Sequence, residues 1–245
     1  MQPELRPVPN NNDSAFGRQV PRYAPGDQVI DTVDSQKVLR NTYLLLALTM
    51  IPTVIGAMVG MSTAGMVMEH PIMISLAMLA VVIGLQFGIA ANRNSGLGVA
   101  LLLLMTGLLG WWLGPILTVA LALKNGPALV GYAAGGTGLV MAVMATIATT
   151  TKRDFSFMGK FLFVGMIVLL VAMLANMFLQ IPALALTISS AVIVVFSLFL
   201  LHDLSRIVTG GETNYVMATT GVYMSLFNIF ANLLSLLMAL TGEKD

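Results

Sequence analysis

The chain has 245 residues, of which 57% are hydrophobic and only 9% are charged, and its mean hydropathy is +0.89. A soluble domain carries about 25% charged residues, so this composition excludes a soluble protein and makes the bilayer the solvent for most of the chain. A formal net charge of +1 excludes a broad basic face for nucleic acid. With no cysteine and two histidines, the chain also lacks the residues for disulfides, thiol catalysis or a histidine-rich metal site.

The first 36 residues differ in composition from the rest of the chain. Met1 to Asp34 is polar, includes the run Asn10-Asn11-Asn12, and has no periodic apolar stripe. Such a segment buries too little apolar surface to offset its ordering entropy. We therefore predict a disordered cytoplasmic tail over residues 1–36 and a transmembrane domain over residues 37–245. The tail is either a solvated extension or a segment that a partner or protease grips.

Seven apolar runs are long enough to cross the hydrocarbon core, which takes about 20 residues. Short polar or turn-forming breaks separate them, and the weakest break holds only Gln180 and Pro182. The sequence thus predicts an all-α membrane protein, a compact bundle of seven transmembrane helices. The predicted spans are 42–61, 71–91, 97–122, 127–150, 158–180, 183–202 (with a helix that continues to 208) and 216–240.

The basic residues beside these spans predict the orientation, because cytoplasmic loops are enriched in lysine and arginine. A cytoplasmic N-terminus leaves only Lys124 and Lys244 outside, and a seven-span chain then has a periplasmic C-terminus. The basic residues on the inner side are Lys37, Arg40, Arg93, Lys152, Arg153, Lys160 and Arg206.

Four pairs of glycines recur at a spacing of four residues within single spans. In lipid, such pairs let helix backbones approach closely and so support packing. The pairs are Gly56 with Gly60, Gly84 with Gly88, Gly110 with Gly114, and Gly131 with Gly135.

Asp203 is the carboxylate closest to the interior of a span, with His202 beside it and Arg206 one turn later. A charge at this depth is costly and is a functional hypothesis by default. Asp203 and Arg206 have the i,i+3 spacing of a helical ion pair. The residues alone leave two interpretations open: an interfacial pair that ends the helix, or part of an ion pathway and pH sensor.

Three polar residues of the last span, Ser225, Asn228 and Asn232, recur at helical spacing and define one face. This face should point into the bundle, as interhelical hydrogen-bonding groups or as the wall of a hydrated path. The spans hold no pair of aspartates, no serine with a histidine and no HExxH helix. We therefore predict no enzymatic activity, no cofactor and no dedicated metal site.

Several motifs, in order along residues 36–240, resemble the Bax inhibitor-1 family. Two of them resemble its bacterial YccA-type branch in particular: the segment from Val38 to Tyr43 and the segment from Gly210 to Tyr215. The other motifs are Gly107 with Leu113-Gly114-Pro115, Lys152 to Phe157, Val195 to Ile207, and Tyr223 with Asn228-Ile229-Phe230.

This resemblance implies six helices wrapped around a central seventh and a pH-sensitive calcium leak, in which two aspartates on the last two helices share a proton. Asp203 matches the first of these positions, but Ser225 stands at the second. A serine can accept or donate a hydrogen bond but cannot share the charge, so the coupled pair becomes a single titration. The family's basic partner falls on Asn92, with Arg93 adjacent as a substitute.

The YccA-type branch implies a partner, the membrane-anchored AAA protease FtsH, and a bacterial inner-membrane location. Such proteases begin pulling at an unstructured segment, which favours Met1 to Asp34 as the partner-binding region. The first hypothesis is a protein that binds and modulates FtsH in membrane-protein quality control. The alternative is a cation leak through Asp203, with calcium as the transported ion. A third interpretation is a structural bundle whose polar residues serve packing.

Overall fold

The computed structural model describes residues 27–151 and 153–242, and in this part of the chain the helices α1 to α8 follow one another with short connections. Seven of the described helices are long and apolar enough to cross a membrane, whereas α2 is too short. The predicted all-α, seven-span membrane fold is thus confirmed. The helices are α1 (Asp27–Ser62), α2 (Ala64–Glu69), α3 (Pro71–Ala91), α4 (Gly96–Ala122), α5 (Gly126–Thr151), α6 (Met158–Leu179), α7 (Pro182–Val208) and α8 (Tyr215–Gly242).

The first helix begins earlier than the first predicted span. Helix α1 begins at Asp27, so the last ten residues of the segment predicted as tail are helical, while residues 1–26 lie outside the described residues. Hydropathy marks only the length that crosses the membrane, whereas a helix can continue into water. For the same reason α7 continues beyond the apolar run, past Asp203 to Val208.

The weakest predicted break is a true helix boundary. Gln180 ends α6 in the left-handed conformation, with φ of 52°. Asn176 caps this turn: its carbonyl accepts from the Gln180 backbone N–H at 2.8 Å, and its side-chain oxygen accepts from the Ile181 N–H at 3.1 Å. Pro182 then occupies the first turn of α7, where its missing N–H costs nothing.

Helices α1 and α4 pack backbone to backbone through two of the predicted glycine pairs. At each glycine a Cβ atom would collide with the backbone of the opposite helix, so only glycine allows this approach. The contacts are Gly56 with the Gly107 carbonyl, Gly60 with the Trp111 carbonyl, Gly110 with the Thr53 carbonyl, and Gly114 with Gly60.

The other two predicted glycine pairs do not mediate helix packing in the described chain. No atom lies within 4 Å of the Cβ position at Gly84, Gly131 or Gly135. At Gly88 the nearest neighbour is a methyl group of Leu101, at 3.3 Å. The four-residue spacing of glycines therefore indicates close helix packing only where a second glycine-bearing helix lies opposite.

Helix α8 is the central helix of the bundle. It packs against α7, α5, α1, α4 and α3, and every residue from Val216 to Ala239 is at least partly buried. The hydroxyl of Tyr223 lies 2.8 Å from the Thr53 hydroxyl on α1 and donates to the Thr106 carbonyl on α4 at 3.3 Å. The central seventh span is thus confirmed, although α6 packs mainly on α7.

Gly56→Ala should destabilise the bundle, because the added methyl group would collide with the Gly107 carbonyl. Overpacking of this kind costs about 1–3 kcal/mol. The measurement is the free energy of unfolding of the purified protein in detergent. Gly131→Ala is the matched control, with open space around its Cβ position, and should change that free energy by less than about 0.5 kcal/mol. Equal losses in both variants would contradict the glycine contact.

Candidate functional site

Asp203 lies on the face of α7 that packs against α8, with about a fifth (21%) of its side chain exposed. Its carboxylate rests on the backbone of Gly221: a Cβ atom there would lie 2.5 Å from Oδ2 of Asp203. Glycine at position 221 is therefore what allows the carboxylate to enter between the two helices. The sequence analysis missed Gly221, because a glycine inside an apolar helix gives no signal of its own.

His202 is buried, with 8% of its surface exposed, and contacts Asp203 from the side of α6. Its Nδ1 lies 3.0 Å from Oδ1 of Asp203. The other ring nitrogen, Nε2, lies 2.9 Å from the Cβ position at Gly159, in the first turn of α6. The imidazole thus fills the space between the start of α6 and the carboxylate.

Asp203 and Arg206 do not form the ion pair that their spacing allows. Arg206 points toward the loop after α7, where its Nη2 donates to Oε2 of Glu212 at 3.4 Å and to the Gly211 carbonyl at 3.1 Å. The i,i+3 spacing permits a pair, but the loop brings a second carboxylate within reach of the guanidinium. Among the described residues, the Asp203 carboxylate has His202 as its hydrogen-bond partner.

The predicted basic partner from α3 is also not beside Asp203. The side chain of Asn92 donates to the Gly88 carbonyl of its own helix at 2.8 Å, and the Arg93 carbonyl accepts from the Asn214 side chain at 3.0 Å. The α3 side chain that faces the site is Gln86, which the sequence analysis missed. Gln86 lies in the middle of an apolar run, so it could have been found as an isolated polar residue within a span.

A cavity of about 300 Å³ brings Asp203 and Ser225 together, as the family comparison of the sequence suggests. Ser225 is almost fully buried, with 2% exposure, and contributes to the floor from α8. The lining residues come from four helices and the loop before α8: Gln86; Met166; Phe196, Phe199, Asp203 and Arg206; Glu212; and Met217, Ala218, Thr220, Gly221, Met224 and Ser225. The cavity therefore has an apolar wall and one membrane-embedded carboxylate.

The polar face of the last span separates into two parts. Ser225 lines the cavity, whereas the amides of Asn228 and Asn232 donate to carbonyls of their own helix, those of Met224 at 2.8 Å and Asn228 at 2.9 Å. Neither amide lines the cavity. These bonds satisfy the N–H groups locally, so neither the interhelical bonds nor the continuous polar path of the sequence analysis is seen here.

Three loops meet at the end of the bundle where α7 terminates, and we call this the basic end. The Asn214 side chain donates to Oδ1 of Asn94 at 2.7 Å, which ties the loop before α8 to the loop after α3. The Ser205 hydroxyl accepts from the Phe155 N–H at 3.1 Å, which adds the loop after α5. The described basic residues at this end are Lys37, Arg40, Arg93, Arg153, Lys160 and Arg206.

Asp154, in the loop after α5, is a fully exposed carboxylate at the basic end. The Ser156 hydroxyl and the Ser156 backbone N–H, which donates to Oδ1 at 2.8 Å, hold the pKa of Asp154 below its ordinary value. A smaller electrostatic contribution from the His202 and Arg206 side chains lowers this pKa further. Asp154 is therefore charged at neutral pH.

A stable calcium site needs six to eight oxygen ligands. Within residues 27–151 and 153–242, no group of three or more histidine, aspartate or glutamate side chains is placed to hold a metal ion. The geometry around Asp203 can therefore attract a cation or a basic group but does not enclose an ion in a ligand shell.

Gly221→Ala should destabilise the protein by about 1–3 kcal/mol, because the new methyl group would displace the Asp203 carboxylate. In an Asp203→Ala background the same change should cost much less, since the carboxylate is absent. Unfolding free energies of the four proteins of this double-mutant cycle measure the coupling. Additive effects would show that the carboxylate does not rest on Gly221.

The chain matches a known protein family over most of its length. The family profile described as "Inhibitor of apoptosis-promoting Bax1" matches residues 35–242, from the first transmembrane span to the last. The motifs that carry the resemblance in the sequence all lie within this range.

Relatives from several bacteria match at the level of the whole chain. A protein of Escherichia coli K12 named "Modulator of FtsH protease YccA" is 42% identical over 84% of this chain and 91% of its own length. An uncharacterized membrane protein of Vibrio cholerae is also 42% identical, with the same coverage of 84% and 91%. A Pseudomonas aeruginosa protein is 36% identical over 93% of this chain and 100% of its own length. The chain therefore belongs to the Bax inhibitor-1 family and is similar over most of its length to bacterial YccA.

Proposed function

We propose that this protein binds and modulates the membrane protease FtsH in the quality control of bacterial inner-membrane proteins. The observation that carries this proposal is the 42% identity to the E. coli modulator over 84% of the chain. The similarity covers most of both chains rather than one motif, which favours a shared role. A second E. coli relative with the same identity is named "Inner membrane protein YccA", which supports the inner membrane as the location.

The arrangement of the loops supports a cytoplasmic N-terminus and a periplasmic C-terminus. Tertiary contacts join the loops that contain Arg93, Arg153 and Glu212 at the basic end. Lysine and arginine favour the cytoplasmic side of a membrane. On this orientation the polar N-terminal residues lie on the side from which a cytoplasmic protease domain pulls.

The tail provides the test of protease engagement. Removing residues 1–26 leaves α1 whole, so the bundle should fold while the protein loses its effect on FtsH. The measurement is the rate at which FtsH degrades a second membrane substrate in proteoliposomes, with and without this protein. The full chain should change that rate, and the truncated chain should not.

The control for this experiment is a chain whose first 26 residues are scrambled at constant composition. It should retain the effect, because an initiation segment needs length and lack of structure rather than a specific order. If the truncated chain changes the degradation rate as much as the full chain does, the tail is not the protease-binding region. If the full chain has no effect on any FtsH substrate, the proposed function is wrong.

A second candidate function, a pH-sensitive cation leak that carries calcium, is favoured by one observation. Asp203 and Ser225, which the sequence resemblance matches to a proton-sharing pair, line the same cavity. A single carboxylate can attract a cation, although it lacks the coupled titration of two.

Asp203→Asn should reduce calcium flux into proteoliposomes, because it removes the negative charge from the cavity. Ser225→Asp should make the flux depend more steeply on pH, because two carboxylates that line one cavity repel each other when both are charged. Asn232→Asp is the control, since Asn232 does not line the cavity. A flux that neither cavity substitution changes would exclude Asp203 as the gate.

A further inference from the structure

The cavity that contains Asp203 lies between α3 and α6, two helices that do not pack closely against each other. Its walls are Gln86 of α3 and Met166 of α6, and its floor is formed by α7 and α8. Helix α3 packs on α4 and α6 packs on α7, so the space between α3 and α6 is not filled by another helix. We call this space the lateral cavity.

The apolar part of the lining of the lateral cavity comes from α6, α7 and α8 and is adaptable. It is formed largely by Met166, Met217 and Met224, with the tilted pair of Phe196 and Phe199, whose ring centroids are 5.7 Å apart. Methionine is flexible and polarisable, so methionine-rich surfaces accept partners of varied shape. Such a wall is suited to contact with the apolar flank of another transmembrane helix.

The Asp203 carboxylate on the floor of the lateral cavity does not pair with Arg206, which lines the same cavity but is bound to Glu212. Arg206 is held by Glu212, and among the described residues Asp203 is bonded to His202 alone. A charge in a membrane segment is expensive unless an opposite charge compensates it. The cavity is therefore complementary in charge to a basic group that enters from the bilayer.

The distance of Asp203 from the end of α7 suits a lysine or arginine side chain on a helix of another membrane protein. Asp203 lies five residues before the end of α7, which is about 8 Å from that end at a rise of about 1.5 Å per residue. Long basic side chains reach over such distances toward the interface, and membrane proteins concentrate them at the cytoplasmic ends of their helices. The volume of about 300 Å³ suits a side chain rather than a whole helix.

We propose that the lateral cavity docks a transmembrane helix of a partner membrane protein. The partner helix lies over the opening between α3 and α6, contacts the methionine and phenylalanine side chains there, and places a basic side chain from its cytoplasmic end in the cavity against Asp203. This inference rests on the proposed function, in which the protein acts on other membrane proteins. It assigns the membrane-embedded part of that interaction to one surface.

The test uses the full chain in phosphatidylcholine nanodiscs, with a photo-crosslinking residue at Gln86. The probe is a polyleucine transmembrane peptide with tryptophan anchors and one lysine about two turns from one end, compared with the same peptide carrying glutamine. The lysine peptide should crosslink at least about tenfold more, as expected for a charge-assisted hydrogen bond. Asp203→Asn should abolish this preference.

Two further variants make the test specific to the cavity. A crosslinker at Val143, an exposed residue of α5 outside the cavity, should not distinguish the two peptides. Met166→Trp leaves Asp203 intact and narrows the cavity from α6, so it should also remove the preference. If Asp203→Asn does not fold, Met166→Trp still tests whether the lysine preference depends on the cavity.

Three results would overturn the proposal. The lysine and glutamine peptides could crosslink equally at Gln86, or Met166→Trp could leave the preference unchanged. Replacing phosphatidylcholine by phosphatidylethanolamine could abolish peptide crosslinking, which would make a lipid amine the occupant. The peptide assay contains no protease, so failure here combined with an intact effect on FtsH would reject this inference and leave the proposed function standing.

Discussion

The close contact between α1 and α4 is the constraint on which the shape of this bundle depends. In a bilayer, lipid tails solvate apolar side chains as well as another helix does, so helices associate through close packing and polar contacts. Glycines on both helices bring the two backbones into contact, and Tyr223 links this pair to the central helix. The bundle is therefore tightly fixed on the side of α1 and α4.

The opposite side of the bundle has no comparable contact. Helix α6 has a single main neighbour, α7, and of its residues only Leu162 is fully buried. Helix α3 packs on α4, whereas helix α6 packs on α7. The two helices that border the lateral cavity are therefore held by different neighbours. The bundle thus has a closely packed side, formed by α1 and α4, and a loosely packed side near α6. The Asp203 carboxylate lies on the loosely packed side.

The sequence predicted the fold well because membrane spans depend on local composition. The seven spans, the turn at Gln180 and the proximity of Asp203 to Ser225 all follow from hydropathy, turn residues or family motifs. The extension of α1 to Asp27 could not be predicted in this way, since a helix outside the bilayer needs no apolar run.

Side-chain partners were harder to predict because they depend on loops and on facing helices. The spacing of Arg206 and Asp203 allowed an ion pair, but Glu212 approaches Arg206 from a loop, and sequence spacing does not give the path of a loop. Gln86 and Gly221 became part of the site only through the way α3 and α8 face α7. The glycine pairs illustrate the same limit, since identical spacings pack in α4 and remain open in α5.

The negative charge of Asp203 links the two candidate functions, because only one positive group can neutralise it at a time. A proton, a cation in transit and a basic side chain from a docked helix would each neutralise the same charge on the floor of the lateral cavity. Binding of any one lowers the affinity for the others by the same factor in both directions. A partner helix in the cavity would therefore suppress a cation leak, and protonation of Asp203 would weaken the docking of that helix.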